Sequence, residues 1–390
     1  MPGSPLNRVS FLRDNNKFLS AAFSHPTASF LLLNSLAPLS KSPTTPHYAS
    51  LADISPLTGP NPFLRSEAEI IASYNSSVTI PQLVFLGLDE RNKAGLVHSP
   101  YVGAPYFALD VTPQGSTSAA SSSIIAALEA QNLTFIHSRA HMHFPAHDAA
   151  IFAQARSLID WNARNPYCAQ CGQPTLSINA GTKRTCPPTD LASVPTPQAT
   201  NTAAAPATDR KTCITRKGVH NIAFPRTDPT VIVAVVSQDG KRVLLGRQRR
   251  WPPCWYSVLA GFIEPAESVE EAVRREVWEE SGVKLGRVVV HSTQPWPYPA
   301  NLMIGAVAQA LEGGEEILLE HDPELEDAKW VEFDEVREAL KHGTRSLDQG
   351  GEPIPNYKEG GLRLPPKTAI ANRLLTAVVF EGFLGAEMKM

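Results

Sequence analysis

The chain has 390 residues, too many for one compact core, and its 43% apolar content is ordinary for a folded protein. A formal net charge of −3 supplies no basic field for tight attraction to nucleic acid or a membrane surface, and no apolar run approaches the length that spans a bilayer. Five scattered cysteines argue against a disulfide framework. The first residues mix Arg8, Arg13 and Lys17 with Asp14 and carry no apolar block, so they do not read as a secretory leader. The last three, Met388-Lys389-Met390, are not a Ser-Lys-Leu peroxisomal address. The expected location is the cytoplasm, with peroxisomal residence, reached in company with a partner, left open.

In chain order, short apolar runs first alternate with Pro and Ser. Phe30–Leu33, Gln82–Leu86 and Tyr106–Leu109 predict buried strands, 41–47 a loop, and 121–131 a short helix. Ile151, Phe152, Ala155, Leu158 and Ile159 fall on one helical face and predict a helix from about Asp148 to Trp161. That helix delivers the chain to Cys168-Ala-Gln-Cys171, a zinc knuckle with Gly172 freeing the turn. Cys186 and Cys213 are the candidates to complete a Cys₄ tetrahedron. The Ala/Thr/Pro segment between them, 187–212, has almost no large apolar residue and is expected to be a disordered insertion that loops out at modest entropic cost. A redox role for the pair lacks a thioredoxin-like βαβ context. Val231–Val236 then predicts a buried strand, Ser237–Gly240 a hairpin turn and Arg242–Leu245 its return, opening a last domain that runs to about Phe383.

The most informative stretch runs from Gly261 to Val283. Ser268 with Glu271 three residues on is a capping box, and Gly282 stands where a C-cap glycine belongs. Val269, Val273 and Val277 recur every fourth residue and give the helix of about three turns a buried stripe. Glu276, Glu279 and Glu280 then lie on neighbouring turns of one face. Carboxylates so close repel unless a divalent cation lies between them. Mg²⁺ suits the set because it takes one or two carboxylates plus waters and phosphate oxygens. Arg275 is placed to reach back to Glu267 and tie the preceding loop to the helix.

Downstream, Thr293-Gln294-Pro295-Trp296-Pro297-Tyr298-Pro299-Ala300-Asn301 alternates proline with aromatics and predicts a stiff, extended segment. Such a segment would present Gln294, Trp296 and Tyr298 as a fixed array, with ring faces to stack a base and an amide to hydrogen-bond. A proline-rich loop packed on the core is the plain alternative. His137, His141, His143 and His147 form a loose cluster whose irregular spacing favours loop or core histidines over a metal site. Arg247, Arg249 and Arg250 either meet phosphates or form a solvated basic turn, and Cys254 is expected to be a packed spare thiol.

The pattern Gly-x5-Glu-x7-Arg-Glu-apolar-x-Glu-Glu-x-Gly-apolar is present here without departure, and it resembles the Nudix box. The Gln-Pro-Trp-Pro array resembles the hallmark of the NADH pyrophosphatases within that family, with Thr293, Tyr298 and Asn301 standing where the family has Ser, Phe and Ser. The resemblance implies Mg²⁺ or Mn²⁺ held by Glu276, Glu279 and Glu280, with Glu324 as a further acidic residue. It implies a structural Zn²⁺ on Cys168, Cys171, Cys186 and Cys213. The pocket it implies is lined by Phe224, Ile232, Phe262, Gln294, Trp296, Asn301, Met303 and Ala369, of which Phe262 and Met303 are the readiest to be plain core.

The fold expected is α+β. A Nudix α/β/α sandwich at 227–385 is preceded by a zinc ribbon at 161–226 and an N-terminal Nudix-like α/β domain at 1–160. The reaction implied is hydrolysis of the pyrophosphate of NADH or NAD⁺, giving NMNH or NMN and AMP, by a homodimer. Removal of NAD caps from RNA is the first alternative, and hydrolysis of another nucleoside diphosphate derivative the second. A non-catalytic ligand sensor has no need of intact metal-binding glutamates.

Overall fold

The computed structural model describes residues 4–137, 144–192, 208–218, 221–321, 324–344 and 357–383. The chain divides at Arg226/Thr227 into two compact units.

The first unit begins with β1 (Leu6–Asn7) and α1 (Asn16–Phe23), followed by β2 (Ser29–Asn34), β3 (Ala37–Ser42), β4 (Thr45–Pro46) and β5 (Tyr48–Ala49). Then come α2 (Leu51–Thr58), α3 (Glu67–Ala72), β6 (Leu83–Asp89), β7 (Leu96–His98), β8 (Tyr101–Asp110), α4 (Ser118–Glu129), β9 (Thr134–Phe135) and α5 (Ala146–Arg164). The sheet runs β1-β6-β8-β2-β3-β4, with β5 added to β2, β7 to β8 and β9 to β3. All three predicted strands and both predicted helices form. Phenylalanines lock the core: Phe30 stacks on Phe107 at 5.3 Å, and Phe23 meets the same ring edge-on at 5.6 Å.

The segment 41–47, expected to be a loop, is mostly a hairpin. Lys41 and Ser42 end β3, Thr45–Pro46 form β4, and Ser40 pairs with Pro46. Its polar composition misleads because Ser40 and Pro46 are buried where the strands pair, while Lys41 and 43–45 are exposed.

The ribbon follows as β10 (Leu176–Ile178) and β11 (Lys183–Thr185), paired antiparallel. The expected disordered insertion is corrected at both ends. β12 (Thr189–Asp190) pairs with β13 (Thr208–Asp209), and Asp190 forms an ion pair with Arg210. Arg210 also lies over the Tyr74 ring, and Leu191 N–H donates to Tyr74 O at 2.8 Å. A charge pair shielded by an aromatic ring offsets the ordering entropy that the composition alone cannot. The middle of the insertion, 193–207, lies outside the described residues.

The second unit comprises β14 (Asp228–Val236), β15 (Arg242–Arg247), β16 (Leu259–Phe262), α6 (Val269–Ser281), β17 (Leu285–Trp296), β18 (Asn301–Ala310), β19 (Asp327–Glu332), α7 (Phe333–His342) and α8 (Ile370–Val379). The strand order is β17-β18-β14-β15-β19, with β16 also paired to β14. β14 and β18 run parallel in the middle, covered on both faces, which explains the unbroken apolar run Val231–Val236. Strand alternation sends Val231, Val233 and Val235 to one face, where they pack with Ala272, Val273 and Val277 of α6. Ile232, Ala234 and Val236 go to the other, against α7 and α8 through Val336, Leu340, Ile370 and Leu374. The result is an α/β/α sandwich.

Candidate active site and zinc site

Helix α6 is set by its sequence at both ends. Glu271 N–H donates to Ser268 Oγ at 3.3 Å, and Ser268 N–H donates to Glu271 at 2.8 Å, closing the predicted capping box. Gly282 ends the helix with φ +73°, which a side chain rarely tolerates. Val273 and Val277 are fully buried, each contributing about 1.5–3 kcal/mol by leaving water.

Arg275 organises the acidic face. Its guanidinium binds Glu267 through two bonds at 2.7 and 2.8 Å, Glu276 at 2.9 Å, Glu279 at 3.0 Å and the carbonyl of Phe262 at 2.8 Å. The predicted tie to Glu267 is there. The further bonds to Glu276 and Glu279 were not anticipated, although the i, i+4 spacing to Glu279 signals one of them. One cation therefore already holds Glu276 and Glu279 together. Hydrogen bonds from Arg275 keep the Glu267 carboxyl below its ordinary value. Burial pushes the Glu276 carboxyl up, against the opposing pull of Arg275. Glu280 is 4% exposed, and its carboxylate does not join the other two in a tight group.

Gly261 explains how Glu276 reaches its place. A Cβ on Gly261 would lie 1.9 Å from the Glu276 carboxyl carbon and 2.1 and 2.3 Å from its oxygens. Only a bare backbone lets that carboxylate lie against β16. The sequence names this glycine as the first position of the box, but its role as a carboxylate seat follows from the tertiary contact alone.

Register gathers six of the eight predicted pocket residues on one face. Gln294 pairs with Met303, Met303 with Thr230, and Thr230 with Phe262, forming a row across β17, β18, β14 and β16. Trp296, Asn301 and Asp228 form the row beside it, and Ile232 lies two residues along β14. Residues so placed share the face that carries α8. Phe262 is not core: it is 56% exposed at the end of β16. Met303 is half-buried and Ile232 buried, both in the apolar cluster beneath α8. Ala369 is the N-cap residue of α8. Asn301 donates to Thr230 Oγ1 at 3.2 Å, while its own Oδ1 is buried without a partner among the described residues. Trp296 and Tyr298 meet edge-to-face at 5.3 Å.

One expectation about this array is corrected. The segment is not extended throughout: β17 ends at Trp296, and the chain turns through 297–300 into β18. Gln294 is engaged within the protein. It is 6% exposed, its amide N–H donates to Thr368 O at 2.8 Å, and its Oε1 accepts from Ile370 N–H at 2.9 Å. A helix start leaves backbone donors without intrahelical partners, and the buried amide satisfies one of them. Gln294 therefore positions the start of α8.

Glu324 is exposed and accepts a bond from Gln248 Nε2. The two line a surface recess of about 330 Å³ with Arg249 and Arg250. Arg247 is committed elsewhere, to Glu326 and the Trp251 carbonyl. Cys254 is half-buried and its thiol donates to Gly360 O. Phe224 belongs to the first unit, where the Lys183 ammonium lies 5.3 Å over its ring.

In that unit the four sulfurs of Cys168, Cys171, Cys186 and Cys213 lie within 4.8 Å of one another. Cys168 and Cys213 approach to 3.4 Å, as do Cys171 and Cys186, and no disulfide forms. Tetrahedral zinc with bonds of about 2.3 Å needs sulfurs roughly 3.8 Å apart, so the set fits a structural Zn²⁺. Gly172 makes the knuckle turn at φ +70°, with its N–H on Cys168 O at 2.8 Å. Thr215 and Arg216 stitch the Cys213 arm to Cys186 through bonds of 3.0 and 2.7 Å. Among the described residues no other cluster of His, Cys, Asp or Glu is this tight. His147 pairs with Asp148 at 3.1 Å, and His141 and His143 lie outside the described residues.

Family models match three successive segments: an NADH pyrophosphatase-like rudimentary NUDIX domain at 27–161, an NADH pyrophosphatase zinc ribbon domain at 163–193 and a NUDIX domain at 226–349. The chain is 33% identical to an NAD-capped RNA hydrolase of Schizosaccharomyces pombe over 100% of this chain and 94% of that one. It is 33% identical to the NAD-capped RNA hydrolase of Homo sapiens over 95% of this chain and 71% of that one. It is 30% identical to an NAD(P)H pyrophosphatase, mitochondrial, of Homo sapiens over 90% and 83%. With the box helix, the sandwich and the tetracysteine ribbon in place, the chain belongs to the NADH pyrophosphatase-type Nudix hydrolases.

Proposed function

We propose that this enzyme hydrolyses the pyrophosphate bond of NADH and NAD⁺, giving NMNH or NMN and AMP. The observation that carries the reading is the seating of Glu276 against Gly261, one residue from the exposed Phe262 at the edge of the pocket face. Adjacent β16 residues thus bring the acidic helix and a stacking surface to one strand end.

Glu276, Glu279 and Glu280 would hold Mg²⁺ or Mn²⁺, with Glu324 as a further ligand. The fit rests on Glu276 and Glu279 already sharing one cation, the Arg275 guanidinium. When bound, a divalent ion neutralises the pyrophosphate and makes a water more acidic. One of the glutamates takes a proton from the attacking water, whose oxygen bonds to one phosphorus. The bridging P–O bond breaks, and the bridging oxygen leaves with the other phosphate. Phe262 and Trp296 supply faces for the rings, and the orphaned Asn301 Oδ1 is an acceptor for a ribose hydroxyl or an amide. Gln294 holds the α8 start, with Ala369, at the pocket wall.

Chromatography of products from NADH with Mg²⁺ or Mn²⁺ tests this. NMNH and AMP should appear, and Glu279→Gln should abolish most of the turnover. Survival of NADH while another nucleoside diphosphate derivative is cut would refute the substrate.

A second reading, release of NAD caps from RNA, is favoured by the names of the relatives and by Arg249 and Arg250 beside Glu324. Cations there would meet phosphates that follow the cap. The ratio of kcat/KM on NAD-capped RNA and on NADH decides between them. A homodimer and a cytoplasmic location complete the proposal; light scattering and fluorescence imaging of a tagged chain test them.

A further inference from the structure

The first unit contains a cleft of about 500 Å³ that the proposed reaction does not use. Its rim is apolar and exposed: Val78 is 52% exposed, Ile80 44% and Tyr167 64%. Its wall is polar and buried. Arg184 is 6% exposed and lines the cleft, with its guanidinium directed to neutral acceptors: Thr175 Oγ1 at 2.7 Å, Thr175 O at 2.9 Å and Asn162 Oδ1 at 3.0 Å. Among the described residues no carboxylate pairs with it. The acid lining the cleft, Asp110, accepts from the N–H and hydroxyl of Thr112 at its Oδ1, at 2.9 and 2.5 Å. Two further lining residues, Gln82 and Ser177, have buried oxygens with no partner among the described residues.

Each feature costs stability if the cleft stays empty. A buried cation without a counter-charge is expensive, and so is a buried oxygen without a hydrogen bond. Exposed apolar side chains around a cleft of several hundred cubic ångströms are what ring-bearing ligands bury. One ligand answers all three: an anionic head for Arg184, hydroxyl or amino donors for Gln82 and Ser177, and a flat ring for Tyr167, Val78 and Ile80. We propose that this cleft, formed where the zinc ribbon meets the N-terminal sheet, is a binding site for a small ring-bearing anion of mononucleotide size, separate from the box helix.

The test is calorimetric titration of AMP into the full-length, zinc-loaded protein without added Mg²⁺ or Mn²⁺, with inorganic phosphate as a second titrant. Ser177→Phe fills the cleft and Gln82→Leu removes one acceptor. Zinc content and circular dichroism of each variant confirm its fold. AMP should bind the wild type; Gln82→Leu should weaken it by about tenfold, and Ser177→Phe should abolish it. Trp296→Ala, in the other unit, should leave this binding intact. NADH hydrolysis by the two cleft variants should stay at the wild-type rate. Much weaker binding of phosphate than of AMP supports the ring contact; equal binding refutes it. Absence of AMP binding, or binding that Trp296→Ala removes and Ser177→Phe spares, overturns the proposal.

Discussion

Replacing Gly261 with alanine tests the seat of Glu276. Gly261 does not have a positive φ, so the added methyl acts through contact and not through backbone strain. That methyl would stand 1.9 Å from the Glu276 carboxyl carbon. Ordinary contact needs about 3.5 Å, so the carboxylate must retreat by roughly 1.5 Å. Displacement of a reacting group by about 1 Å costs on the order of 10²-fold in rate. Arg275 keeps Glu267 and Glu279 when it loses Glu276, so the loss of stability should be only about 1 kcal/mol. The assay is kcat on NADH at saturating Mg²⁺, beside a thermal melt. A second variant sharpens it. Glu276→Asp shortens the side chain by about 1.5 Å and should by itself impair turnover, yet combined with Gly261→Ala it should lose less than the two single losses together. A Gly261→Ala enzyme with a rate within twofold of wild type would refute the argument, as would strict additivity in the double variant.

Glu279→Gln should lower kcat on the order of 10²–10³-fold with little change in melting, since its side chain is partly exposed. Glu276→Gln should abolish turnover yet raise, or leave unchanged, the melting temperature of protein without added divalent metal near pH 8. The folded-state carboxyl is raised by burial, so the folded state binds the extra proton. That contribution is present at low pH and is lost as pH rises through the folded value, above which the ionised carboxylate bears a burial cost that glutamine does not. A clear drop in melting would show that the Arg275 bond outweighs the burial. Gln294→Ala should cost about 1–3 kcal/mol in a melt, by stranding the Thr368 carbonyl and the Ile370 N–H. A fall in substrate affinity without any loss of stability would restore Gln294 as a ligand contact. Cys213→Ser should reduce bound zinc and lower the melting of the first unit, measured by metal analysis and calorimetry, because a closed Cys₄ site contributes folding energy directly.

Much of this protein is legible in its sequence because the signals are local. The capping box at Ser268, the αL glycine at Gly282, the valine stripe of α6 and the alternation in β14 each arise from residues within a few positions of one another. The CxxC turn at Gly172 is equally local, and it marks the ribbon before Cys213 is located. What tertiary structure decided depends on residues far apart in the chain. The role of Gly261 required Glu276 to arrive from a helix, and the exposure of Phe262 required β16 to end at the sheet's rim. That both ends of the Gln294 amide bond at the start of α8, far along the chain, is a contact no local pattern signals. The neck of the insertion orders because Arg210 finds Asp190 and Tyr74 together. Composition and periodicity report what each residue prefers. Which preference is satisfied, and by whom, is settled only when burial removes water as the alternative partner.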